Sequence, residues 1–219
     1  MKSYSKAEIL EMERFYRANF VNSLGGFKSA CLLGTRNPQT KVDNLCIINS
    51  VVQIGANPPY LGFVFRPHTV ERHSVDNIMT GSCYTLSHIQ RHWMDKAHQT
   101  AAKFHADTSE FEAVGLTPYN RPDFEAPAVT ESALRMGFQL EERHDIQLNG
   151  TILMIGSLQW VELDHSAVAE DGFVDLARLG SITNVSLDGY YEASLLARYA
   201  YARPEKAPSQ IGPHSSKSS

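Results

Sequence analysis

Only three cysteines occur in the 219 residues, and Cys31, Cys46 and Cys83 are odd in number and widely spaced. Neither a disulfide framework nor a CxxC zinc or redox pair is written in that pattern. No run of about 18 apolar residues exists, so no membrane-spanning helix is expected. The stretch Met1 to Glu13 alternates charge with Leu and Ile and lacks a signal-peptide core, which predicts a cytoplasmic protein. Charge of one sign is not in excess: 20 Lys+Arg against 24 Asp+Glu give a net charge of −4. That balance argues against a coat for nucleic acid or an acidic membrane, and leaves room for a local basic pocket that holds one phosphate. GxGxxG after a strand, a Walker A loop, HExxH and GxSxG are all missing. A nicotinamide cofactor, if used, is therefore not held by a Rossmann fingerprint. Among nine histidines, His88 and His92 are four apart with His98 and His105 nearby. No Cys pair or His–Glu spacing completes a ligand set there, and no metal is expected.

What is present suits one globular domain: 42% hydrophobic and 20% charged residues supply a core without signs of disorder. Ser5 to Asn22 spaces Ile9, Leu10, Met12, Phe15, Tyr16 and Phe20 among charged residues, which predicts an amphipathic helix with one buried side, stopped by Gly25-Gly26. Strand-like runs follow at Ser29 to Thr35, Leu45 to Ile54, Tyr60 to Phe65 and Cys83 to Ile89, with turn formers at Arg36 to Asn44 and Asn57-Pro58-Pro59. Thr69 to Thr80 reads as a helix, and Gln90 to Arg121 as a polar, helix-prone insertion. Strands resume at Ala133 to Glu142 and Gly150 to Leu163. A short helix or turn is expected at Asp175 to Leu179, and helix or strand at Tyr190 to Tyr201. The division expected is residues 1–24 as the N-terminal helix, 25–203 as the main domain with an insertion at about 90–121, and 204–219 as a flexible tail. Many short strands with helical additions predict a mainly β, antiparallel barrel, not a doubly wound sheet.

Two polar features interrupt the apolar pattern. Asn49-Ser50 sits inside the Leu45 to Ile54 run, where a buried polar pair must bond to protein, water or ligand; a bulge or strand-end turn meets the same demand. At the end of the Tyr60 to Phe65 strand, Arg66, Thr69 and Arg72 fall where a helix begins. Free N–H groups, a threonine and two guanidinium forks in that position suit a phosphate, and equally a capped helix with solvated arginines.

In sequence order these pieces resemble the flavin reductase-like family of FMN-binding, flavoredoxin-like split barrels. Asn44 to Gln53, Asn57-Pro58-Pro59-Tyr60-Leu61-Gly62-Phe63, Arg66 with Thr69, and Asn77-Ile78-Met79 before Gly81 carry the first half of the likeness. Ser109-Glu110-Phe111 with Gly115-Leu116-Thr117, Pro127 to Ser132, and Leu176 with Arg178-Leu179-Gly180 carry the second, so that it covers about Gly26 to Tyr191. The chain departs from the family pattern in two places. Ser50-Val51 stands where Ser-Phe or Ser-Tyr is usual, and Pro67-His68-Thr69 replaces Lys-Asp-Thr, leaving Arg66 and Arg72 as the phosphate-loop charges.

The resemblance implies an antiparallel, Greek-key split barrel that binds FMN, with FAD or riboflavin as lesser candidates and NAD(P)H as co-substrate. It implies Asn49, Ser50, Val51 and Val52 along the flavin edge, with Ser50 positioning the ring, and Phe65, Arg66, Pro67, His68, Thr69 and Arg72 around the phosphate. It further implies a homodimer that reduces flavin by hydride transfer and passes it to a partner monooxygenase or another electron acceptor. An FMN-dependent oxidase or electron carrier fed by a protein, and a non-catalytic flavin-binding or structural dimer, are the alternatives. Hydride transfer is the cofactor's chemistry, so no essential side-chain nucleophile is expected.

Overall fold

The computed structural model describes residues 1–67 and 73–212. In chain order its elements are α1 (Lys6–Glu11), α2 (Arg14–Leu24), β1 (Lys28–Ser29), β2 (Cys31–Arg36), β3 (Asp43–Ile48), β4 (Val52–Ala56) and β5 (Pro59–Phe65). Next come α3 (His73–Gly81), β6 (Cys83–His88), α4 (Met94–Gln99), α5 (Glu110–Val114), β7 (Pro118–Arg121) and β8 (Phe124–Val129). The long hairpin β9 (Leu134–Ile146) and β10 (Thr151–Leu163) precedes β11 (Ile182–Val185), β12 (Gly189–Glu192), β13 (Arg198–Tyr199) and β14 (Gln210–Ile211).

Seven strands form one antiparallel sheet in the order β3-β2-β6-β9-β10-β5-β4. Strands β3 and β4 are neighbours in sequence yet occupy opposite ends of that order, so residues 49–51 bridge the seam of a curled sheet. The barrel interior is apolar and aromatic: Phe63, Phe65, Tyr84, Phe138, Ile152 and Met154 fill it, with Val75 and Ile78 of α3 among them. A second cluster outside the sheet gathers Ala30, Leu32, Leu45, Ile89, Trp93, Phe111 and Val129. Strand β2 lies between the two. Cys31 and Leu33 face the barrel and Ala30 and Leu32 face outward, which explains an uninterrupted apolar run where a half-exposed strand would alternate.

Glycine is required where β8 crosses this layer. A Cβ at Gly34 would lie 2.1 Å from the Pro127 carbonyl oxygen, which accepts from Thr85 Oγ1 at 2.6 Å. Pro127 makes β8 a poor strand by pattern. Neither β7–β8 nor β11 was expected, and each supplies outer walls to the barrel.

The predicted N-terminal helix is instead two helices. Glu13 breaks the run by capping α2, its carboxylate accepting from the Phe15 and Tyr16 amides at 2.8 and 3.0 Å. The expected buried side is also missing: α1 and α2 bury no residue, and Leu10, Phe15, Tyr16 and Leu24 are exposed. The Leu45 to Ile54 run is two strands split at Asn49 to Val51, and the end of the helix-prone insertion is β7. Helix α3 starts at His73 among the described residues. Part of the tail folds back, Arg198 pairing with Ile211 and Tyr199 with Gln210, while Arg198 forms a buried ion pair with Asp171.

Candidate active site

A cavity of about 790 Å³ opens beside the barrel seam. That volume falls in the range of about 300–1,000 Å³ usual for small-molecule and cofactor sites. One wall is the seam itself, Cys46 to Ser50, with Val64, Phe65 and Arg66 from the end of β5. Among the described residues, β3 is an edge strand paired with β2 alone. Leu45 directs its amide away from β2 to the Glu110 carboxylate at 2.9 Å. By the alternation of an antiparallel edge, Ile47 directs its own amide and carbonyl the same way, towards the cavity it lines.

The floor is a buried polar network. Glu110 accepts from Leu45 and from Asn44 Nδ2 at 2.9 Å, Ser74 donates to Asn44 Oδ1, and Asn77 donates to Thr35 Oγ1 at 3.1 Å. Burial raises the Glu110 carboxyl pKa above the usual value, opposed by the Leu45 amide and by nearby His73. Glu110 comes from the Ser-Glu-Phe piece of the family likeness, and its work here is to anchor α5 to β3.

The remaining walls come from residues that the sequence reading did not place. His98 and Thr100 to Phe104, from the insertion, close one side with Lys103 among them. Asn184, Leu187 and Asp188 close another, and Asn19 reaches in from α2, where its Oδ1 accepts from Ser186 Oγ at 3.2 Å.

Of the residues expected at the flavin, Asn49, Ser50, Phe65 and Arg66 line the cavity. Asn49 Nδ2 donates to Ser186 O at 2.7 Å and to Asn184 Oδ1. The Ser50 hydroxyl donates to Val64 O at 2.8 Å and accepts from Val64 N at 3.0 Å, standing in for a missing ladder partner where the seam turns. Val51 packs against the barrel core, and Val52 and Pro67 lie outside the cavity lining. His68, Thr69 and Arg72 lie outside the described residues. Burial pushes the Cys31 thiol up to about 12 and raises that of Cys83, which makes both packing groups. Cys46 differs, lining the cavity with its sulfur 3.3 Å from Ser74 Oγ.

The flavin reductase like domain family matches residues 24–177, more than half of the chain. The chain belongs to the flavin reductase-like family. A Shewanella frigidimarina NCIMB 400 protein assigned as a flavin reductase with a split barrel domain is 44% identical, with a TM-score of 0.88 over 92% of this chain and 100% of that one. The split-barrel fold also superposes on nitrilotriacetate monooxygenase component B from Bacillus cereus (17% identity, TM-score 0.78, covering 90% and 98%). Flavoredoxin of Desulfovibrio vulgaris (Miyazaki F) shares it at 20% identity and a TM-score of 0.66, covering 83% and 92%. No curated protein matches. For a flavin reductase-like protein, the mainly β antiparallel barrel is the fold expected from the sequence, and it is the fold found. Among the described residues no helix is long and apolar enough to cross a membrane, and no three His, Cys, Asp or Glu side chains converge as metal ligands.

Proposed function

We propose that this member of the flavin reductase-like family is an FMN-binding oxidoreductase that accepts hydride from NAD(P)H at the seam cavity. The observation that carries the reading is the cavity's make-up, an open strand edge at Ile47 to Ser50 continuing into Arg66 at the end of β5. The residues fit the cofactor. Arg66 offers charge to a phosphate, and Arg66 with Lys103 balances Glu110 and Asp188 in the lining. The free amide and carbonyl of Ile47 suit the alternating donors and acceptors of a flavin ring edge, and Phe65 gives its flat part an apolar neighbour.

Bound FMN supplies the electron-accepting ring. The chain's residues bind it, fix its plane and keep the seam side dry, so that a nicotinamide carbon can approach within roughly 3–3.5 Å from the open side. Hydride passes between two cofactors, and no side chain has to give or take a proton in that step. A homodimer is part of this reading, supported by the exposed Leu10, Phe15, Tyr16 and Leu24 on helices without a buried face. So is release of reduced flavin to a partner monooxygenase or another acceptor.

Titration with FMN followed by anaerobic stopped-flow mixing with NADH and NADPH tests the proposal. Bleaching of bound flavin by either nucleotide is the expected result. Tight FMN binding without reduction by either would make the protein an electron carrier or an oxidase fed by another protein. Absence of FMN binding would overturn the reading.

A further inference from the structure

Asn184 is 1% exposed and lines the cavity, and its Nδ2 has no hydrogen-bond partner. Its orientation is fixed from the other side. Asn49 spends its own Nδ2 on Asn184 Oδ1 and Ser186 O, so turning the Asn184 amide over would set nitrogen against nitrogen. A buried amide donor without an acceptor costs about 1–3 kcal/mol, and native structures rarely keep one without a reason. Both Asn184 and Asn19, whose Oδ1 ties Ser186 from α2, lie outside residues 24–177 that match the family. This wall is built by the two ends of the chain.

We propose that Asn184 is a positioning residue whose Nδ2 donates to a ring carbonyl of the flavin, the inference resting on the flavin reading above. The acceptor is uncharged, because the groups bonded in this wall are the Asn49 and Asn19 amides and Ser186, whereas Arg66 lines the cavity with Val64 and Phe65 at the end of β5. A phosphate belongs at the cationic end, and a neutral carbonyl at the amide end. The nicotinamide approaches from the open side, so a donor this deeply buried meets the flavin.

Asn184→Asp keeps the oxygen that accepts from Asn49 and exchanges only the donor. Asn184→Leu removes the donor without adding charge. FMN and riboflavin are titrated into each folded variant by flavin fluorescence. Both ligands are expected to bind about three- to tenfold more weakly to Asn184→Leu, by the same factor, since the contact is to the ring. The loss in Asn184→Asp should shrink at acid pH, where a protonated carboxyl donates again. Titrating wild type with 2-thio- and 4-thio-FMN needs no variant: one of the two should bind about three- to tenfold more weakly than FMN, because a thiocarbonyl is a poorer acceptor. Unchanged affinity in both variants, loss confined to FMN, or thio-analogues that both match FMN would overturn the assignment. Failure of wild type to bind any flavin would instead remove the flavin reading itself.

Discussion

Inside the barrel, Phe63 packs edge-on against Phe65 and Tyr84, and Tyr84 stacks on Phe138 at 5.3 Å between ring centres. On the far side of β3, Asn44, Glu110 and Asn184 are nearly as well shielded from water, yet each is held by hydrogen bonds. The first region gains from the area it removes from water and tolerates no void. The second gains little from area and depends on every donor finding its acceptor. Apolar burial therefore concentrates in the barrel, while hydrogen-bonded polar contacts concentrate around the cavity outside it.

Removing a barrel ring should break that division most. Phe138→Ala leaves a cavity among Tyr84 and its neighbours, and urea unfolding should show a loss of about 3–5 kcal/mol. FMN affinity of the protein that remains folded should be unchanged.

The pH response should come from buried polar groups. Burial lowers the pKa of His88 to about 4, and its Nδ1 lies 3.2 Å from Ser181 Oγ. The unfolded chain then binds the proton more tightly than the folded one. His88 thus costs no stability above about 6.5 and costs progressively more as pH falls towards 4, reaching roughly 3 kcal/mol. Glu110 acts with the opposite sign: its raised folded pKa makes ionisation unfavourable to folding as pH rises above the ordinary carboxylate value. Denaturation midpoints for wild type and His88→Gln between pH 4 and 7 separate the two, and a flatter acid limb is expected in the variant.

At the cationic end of the cavity, Arg66→Ala should weaken FMN by about 1.5–3 kcal/mol and leave riboflavin unaffected. Isothermal titration with both ligands checks it. Equal losses for both would mean that Arg66 supports the cavity wall and does not meet the phosphate.

The smallest effect should come from Ser50. Because its hydroxyl serves Val64 N and O, Ser50→Ala should cost about 0.5–1.5 kcal/mol of stability, read as a lower melting temperature. Loss of that support at the ring edge should slow single-turnover flavin reduction by roughly threefold to tenfold. A thousandfold drop at full FMN occupancy would make Ser50 catalytic.

Much of the barrel was legible because its cues are local. The apolar run at β2, the Asn57-Pro58 turn between β4 and β5, and the long apolar β10 each announce themselves within about ten residues. The pair Asn49-Ser50 was legible as an anomaly, and the structure gives both a place in the cavity lining and structural partners. Strand β8 was hidden by Pro127, whose tolerance depends on Gly34 in a distant strand. The split between α1 and α2 was hidden in Glu13, a poor cap by residue type that succeeds through its longer carboxylate. Half of the cavity was illegible because Lys103, Asn184 and Asn19 reach it from parts of the chain that no periodicity connects.

The bonds that close the cavity also set an order in time. Ser50 meets Val64 across 14 residues, whereas Asn49 meets Asn184 across 135 and Ser186 meets Asn19 across 167. Between 14 and 167 residues lie three to four doublings of loop length, which adds roughly 2 kcal/mol of closure entropy. The hairpins of the seam can therefore form early from near neighbours, and the amide wall closes only when both ends of the chain have arrived. The same contacts are the first to open in partial unfolding. Amide hydrogens of β11 and α2 should then exchange faster than those of β6 and β9 in the free protein, and slow disproportionately once a ligand occupies the cavity.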